Sequence, residues 1–201
     1  MASAKNVVNI ALVGVGGQGT LLASEVISRT AMLTGRDVKK SEVHGMAQRG
    51  GSVVSQVRFG DHVYSPLIPE GETDVLISFE LVESLRYADT LAPDGIALIN
   101  DQIITPVTVS SGQQAWVDDL EERLERAFPR RQVIDALVLA RDLGNLRVVN
   151  MVMAGALSRV LDLEERAWLQ AIEELVPARH REVNLRAFAA GRALTPTHSP
   201  S

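Results

Sequence analysis

An apolar, β-branched run over residues 7–13 passes directly into Gly14-Val15-Gly16-Gly17-Gln18-Gly19, after which Leu21, Leu22, Val26 and Ile27 recur at helical spacing. Few folds accommodate that order. It predicts a strand buried on both faces, a tight glycine turn, and a helix that packs back on the strand. Gly14, Gly16 and Gly19 fit the spacing G-x-G-x-x-G. Glycines let the backbone turn sharply and approach a phosphate, and the helix start offers unpaired N–H groups and a partial positive charge. The same glycines also serve a plain strand-to-helix turn that holds nothing. Gly35 is expected to end this helix near Leu33.

The two periods alternate along the rest of the chain. A second strand is predicted over 38–43, followed by the polar, glycine-bearing segment 44–51. Residues 52–59 alternate, with Val53, Ser55, Val57 and Phe59 on one face. Pro66, Pro69 and Gly71 mark a loop. A buried strand is expected over 74–79, a helix over 81–91 ended by Pro93 and Gly95, and a strand over 96–99. Residues 103–109 read as extended and, because of Pro106, as an edge. A helix over 116–128 carries its acids early and arginine late. A short strand at 133–134 and a helix over 136–143, stopped by Gly144, follow. Residues 146–161 are apolar almost all round, which buries them in the core or under a partner. Helices over 163–175 and 180–190 complete the pattern. The expected class is therefore α/β: a Rossmann-like, mixed, largely parallel sheet flanked by helices, with a helical C-terminal part. A single domain is expected over 1–194, with a disordered tail over 195–201.

Composition removes several functions. The 201 residues include no cysteine, which excludes disulfides, iron–sulfur clusters and thiolate zinc sites built by this chain alone. No apolar run reaches the ~20 residues of a membrane span. Lys5 precedes a short apolar stretch that leads into glycines instead of a cleavage site, so a strand is read there and a cytoplasmic protein is expected. Few aromatic residues (4%) and the lack of a basic run argue against nucleic acid. The net charge of −5 is uneven, with +4 over residues 1–60 and −7 over 61–100. A basic first segment favours an anionic ligand there.

The candidate site is the glycine loop, Gly14, Gly16, Gly17, Gln18 and Gly19, together with His44, Gln48, Arg49, Gly50 and Gly51. These residues would bind an anion, shape a cofactor pocket or serve subunit contact. His44 has a competing reading as a hydrogen-bonded structural histidine, and Arg49 as an ion-pair partner of Glu42. A dinucleotide site wants an acid about 20 residues beyond the glycines. Glu42 stands 23 residues after Gly19, but it runs straight into the polar loop. Gly14–Gly19 also fits the adenylating pattern G-x-G-G-x-G, yet no lysine follows Lys40 and no paired acids flank Arg49. A lone histidine makes neither a triad nor a metal site, so no catalytic residue and no metal ligand is assigned. Asp101 and Gln102 follow a strand end near the same cleft and read as a surface turn.

Taken together, the segments Gly14–Thr20, Glu42–Gly51 and Val63-Tyr64-Ser65-Pro66-Leu67-Ile68-Pro69-Glu70-Gly71 resemble the gamma-type subunits of 2-oxoacid:ferredoxin oxidoreductases. The loop at 42–51 is most similar to the beta subunits of the indolepyruvate branch. The likeness continues through Asn145, Asn150, Gly155 and Asn184-Leu185-Arg186-Ala187-Phe188. It implies oxidative decarboxylation of an arylpyruvate on thiamine diphosphate, with electrons passing through [4Fe-4S] clusters to ferredoxin and coenzyme A taking the acyl group. It also implies a hetero-oligomer whose large alpha subunit carries thiamine diphosphate, magnesium and the clusters. The sequence agrees independently: there is no cysteine, and Gly60-Asp61 is followed by His62 instead of the glycine of a diphosphate-magnesium motif. The alternatives are a free-standing Rossmann oxidoreductase using NAD or NADP, and a non-catalytic binding module.

Overall fold

The computed structural model describes residues 7–44, 51–104 and 119–195, with the backbone alone at His44. Six strands form one sheet in the order β2-β3-β1-β4-β5-β6. They are β1 (Val7–Val15), β2 (Asp37–His44), β3 (Ser52–Gly60), β4 (Thr73–Ser78), β5 (Leu91–Asn100) and β6 (Arg131–Ile134). β1, β4, β5 and β6 run parallel, while β3 is antiparallel to both β1 and β2. The expected mixed, largely parallel sheet is what forms.

Strand alternation builds two cores. Ile10, Leu12, Val57, Phe59, Val75, Ile77 and Leu98 point to one face. There they meet α1 (Thr20–Leu33), α4 (Ala136–Asp142), α5 (Val149–Leu157), α6 (Glu165–Leu175) and α7 (Ala178–Arg192). Ala11, Val13, Leu76, Ala97 and Ile99 point to the other face, where α2 (Leu81–Arg86) and α3 (Leu120–Ala127) supply Leu81 and Leu124, with Phe128 just beyond. Helices on both faces explain why β1 reads as continuously apolar. The alternation read over 52–59 holds, with Val53, Ser55, Val57 and Phe59 buried. Gly35, at φ 80°, takes the left-handed conformation that ends α1.

Two helices are shorter than expected. The helix expected over 81–91 stops at Arg86; a 3-10 turn follows at Ala88–Thr90, and β5 already begins at Leu91. Pro93 and Gly95 therefore lie inside the irregular start of β5, where the register against β4 shifts between Thr73 and Val75. A Cβ at Gly95 would stand 2.8 Å from the Thr73 carbonyl, so the bulge needs glycine. The helix expected over 146–161 is shorter. Asn145 accepts from the Arg147 amide at 3.0 Å and starts a 3-10 turn at Leu146–Val148, and α5 proper covers Val149–Leu157. The helix expected over 116–128 is described from Leu120; residues 116–118, and the later part of the extended segment at 103–109, lie outside the described residues. So do residues 196–201 of the expected tail, whereas the Thr195 carbonyl accepts from Gln132 Nε2 at 3.2 Å.

Candidate functional site

The register places the candidate residues along one edge of the sheet. Val15 pairs with Ser52, His44 with Val53, Val13 with Ser78, and Asn100 with Ile134. The C-terminal ends of the parallel strands and the β2–β3 connection thus share the edge where open α/β sheets bind ligands. The Gly16 amide donates to the Gly51 carbonyl at 2.9 Å, which joins the glycine loop to the end of the 44–51 segment. Two parts of the sequence expected to cooperate are brought together there. Gln48, Arg49, Gly50 and the side chain of His44 lie outside the described residues.

Within the loop, Gly17 (φ 102°) and Gly19 (φ 80°) occupy backbone regions that L side chains avoid. Gly14 is needed for another reason: a Cβ there would lie 2.7 Å from Gln18 Oε1. Gln18 folds inward. Its Oε1 accepts from the Val15 amide at 2.7 Å, and its Nε2 donates to the Phe79 carbonyl at 2.9 Å and to Gln102 Oε1 at 3.3 Å. Asn100, fully buried at the end of β5, donates to the same two acceptors at 3.1 Å each. Its own Oδ1 accepts from Ala136, the first residue of α4, at 3.2 Å. A row of three carboxamides thus ties the ends of β1, β4 and β5 to the start of α4. Gln18 holds the loop's shape through this row.

Behind the loop, Asn150 of α5 donates to the Gly19 carbonyl at 3.2 Å. A Cβ on Gly19 would stand 2.6 Å from that amide nitrogen, so glycine and asparagine fit as a pair. α1 has no side-chain cap. Its first-turn amides have no acceptor within the helix and point out of this edge.

A carboxylate pair stands beside the loop. Glu80 is 1% exposed; its carboxylate caps α2 through the Glu83 amide at 2.6 Å and accepts from Ile104 at 3.1 Å. Burial pushes the Glu80 carboxyl above its ordinary value, and the neighbouring Glu83 adds to this against the bonds from the amides. Glu83 accepts from the Ser52 hydroxyl at 2.7 Å and pairs with Arg86 at 3.3 Å.

Glu42 does not occupy a ribose site. β3 lies between β1 and β2, so Glu42 stands two strands from the glycine loop, where it binds Lys40 at 2.9 Å and Ser24 at 3.3 Å. Gln102, read as part of a surface turn, belongs to the carboxamide row, while Asp101 is exposed. Asn100 and Glu80 were not singled out from sequence. A polar residue closing an apolar strand was their only signal. Two cavities of about 440 Å³ lie elsewhere, one between Arg36, Arg130 and Asp162 and one against Leu81, Leu124 and Arg131, and neither is lined by the glycine loop.

Residues 9–194 match the family model described as pyruvate ferredoxin/flavodoxin oxidoreductase. The chain is similar to the indolepyruvate oxidoreductase subunit IorB of Thermococcus kodakarensis, with 41% identity over 91% of this chain and 93% of that one. It is also similar to IorB of Pyrococcus horikoshii, with 39% identity over the same shares. Among solved structures it resembles the pyruvate oxidoreductase subunit PORC of Thermotoga maritima, with 25% identity and a TM-score of 0.70 over 93% of this chain and 96% of that one.

Proposed function

The chain belongs to the pyruvate ferredoxin/flavodoxin oxidoreductase family, and from that premise we propose that it is the small subunit of an indolepyruvate-type 2-oxoacid:ferredoxin oxidoreductase. One observation carries the reading: the likeness to the IorB subunits runs over nearly the whole of both chains. The partners are a large alpha subunit and, for the assembled enzyme, ferredoxin. The expected compartment is the cytoplasm. No helix among the described residues is long and apolar enough to cross a membrane.

When bound, thiamine diphosphate with magnesium and [4Fe-4S] clusters supply decarboxylation and electron transfer. The residues of this chain do not suit those groups. Such clusters take cysteine thiolates, and the chain has none. Among the described residues no three His, Asp or Glu converge as metal donors. We assign the groups to the large subunit.

This chain's share is the sheet edge that carries the glycine loop. Gln18, Asn100 and Asn150 hold the glycine loop and the start of α1 in one orientation. First-turn amides of α1 suit an anionic co-substrate, either coenzyme A or the oxoacid carboxylate. His44 and Arg49 belong to the segment that starts and ends at this edge, and we assign them to the same task.

The test of the family reading is co-expression with the cognate large subunit, followed by purification through a tag on this chain. A complex containing iron and thiamine and reducing ferredoxin with indolepyruvate and coenzyme A is expected. A chain that purifies alone and binds NAD or NADP tightly would contradict it. For the edge, Arg49→Ala and His44→Ala in the complex are expected to raise a Michaelis constant. Unchanged constants and turnover for both substrates would leave the edge a contact surface only.

A further inference from the structure

The face of the β2–β3 hairpin that turns away from α1 carries Lys39, Ser41 and Val43 opposite Arg58, Gln56 and Val54. Residues 61–72 fold back across it. The segment is pinned at Val63, Ser65, Leu67 and Ile68. Asp37 Oδ2 accepts from the Val63 amide at 2.8 Å. Arg58 Nη1 donates to the carbonyls of Ser65 at 3.0 Å and Leu67 at 2.8 Å. Gln56 Oε1 accepts from Ile68 at 3.0 Å. Arg58 is itself fixed through Asn9 at 2.9 Å. Val63 is buried and Ile68 packs on the core, so backbone and anchors are both committed.

Between these pins Tyr64 stands 94% exposed and Leu67 59%, with Val43, 61% exposed, on the same face. A rigid backbone presenting an exposed aromatic ring has already lost the entropy that binding would otherwise cost. Tyrosine in such a setting is a typical interface anchor. The surroundings give the sign of the partner. Glu70 and Glu72 are exposed, and their carboxylates form no ion pair among the described residues, while nearby Lys39 is held by Asp37 at 2.7 Å and Arg36 by Asp61 at 2.7 Å. A two-fold contact of this patch with itself would set its carboxylates against each other.

We propose that the Tyr64–Leu67 loop is the anchor by which this chain docks on the large subunit, in an apolar recess rimmed by lysine or arginine. This rests on the reading of the chain as a small subunit and names the surface that reading needs. The ring fills the recess, Leu67 extends the apolar contact, and Glu70 and Glu72 meet the basic rim. Charge steers the encounter and makes it sensitive to salt.

The test uses the full chain and the co-expressed large subunit. Tyr64→Ala with Leu67→Ser is expected to weaken assembly at least 100-fold while leaving the melting temperature of the free chain unchanged, since both side chains are exposed. Glu70→Lys with Glu72→Lys is expected to slow association about tenfold at low salt and to flatten its salt dependence. Wild-type affinity in the first variant overturns the proposal while the small-subunit reading stands. A free chain that dimerises, with Tyr64→Ala abolishing the dimer, overturns it in favour of a second copy. Failure of the wild-type chain to assemble overturns the small-subunit reading, and this proposal with it.

Discussion

Gln18 shows how one side chain can set the geometry of a loop whose glycines give it no stiffness. Its carboxamide orientation is dictated on both sides: the Val15 N–H requires an acceptor and the Phe79 carbonyl a donor. Gln18→Ala strands the Val15 N–H and leaves the Phe79 carbonyl with Asn100 as its remaining side-chain donor, a loss of about 2 kcal/mol of stability by the usual penalty for a stranded polar group. Gln18→Glu keeps the acceptor for Val15 but turns an oxygen toward Phe79 O and Gln102 Oε1. Urea denaturation is therefore expected to find the glutamate variant at least as destabilised as the alanine one, and a glutamate variant as stable as wild type would contradict this assignment. Glu80 makes a prediction about pH. Its folded-state pKa is raised above the ordinary 4.5, chiefly by burial. Its contribution to stability is then complete below the unfolded value and is lost as pH rises through the folded one. The stability of wild type relative to Glu80→Gln should fall as pH rises above about 4.5. Denaturation midpoints across that range, if they differ by a constant amount, would show that Glu80 does not titrate there.

The pairing of α5 with α7 rests on two absent side chains. A Cβ on Gly155 would stand 2.1 Å from the Phe188 carbonyl oxygen, and one on Gly191 would stand 1.9 Å from that of Val152. The two backbones touch, so Gly191→Ala must push the helices apart and is expected to cost at least ~2 kcal/mol, toward the upper part of the range for overpacking. A thermal melt within a degree of wild type would contradict the close approach. Much of this level was legible in the sequence. The apolar circumference read over 146–161 announced burial, and every residue of α5 within it is buried, whereas Leu146 stands 57% exposed. The sequence left open whether core or partner covers it. Met153 is fully buried in the chain's own core, so Met153→Asp is expected to unfold the chain. Strand periods and the glycine turn were readable because both are local. The place of β3 between β1 and β2, the bulge at Gly95 and the partners of Asn100 and Gln102 were not, because each depends on residues distant in sequence.

For the molecule as a whole, the fold separates two tasks. One edge of the sheet gathers the glycine loop, the ends of four parallel strands and the carboxamides that hold them. The face of the β2–β3 hairpin turned away from α1 carries a clamped loop with an exposed tyrosine and two exposed acids. Neither supplies a thiolate, which fits a subunit that lends shape and electrostatics to a companion carrying the redox groups. The most direct test is a titration of the large subunit with this chain, following indolepyruvate-dependent reduction of ferredoxin in the presence of coenzyme A. The account predicts negligible turnover by either chain alone and a rise that saturates at a fixed stoichiometric ratio. Full activity of the large subunit by itself, or turnover by this chain by itself, would contradict it.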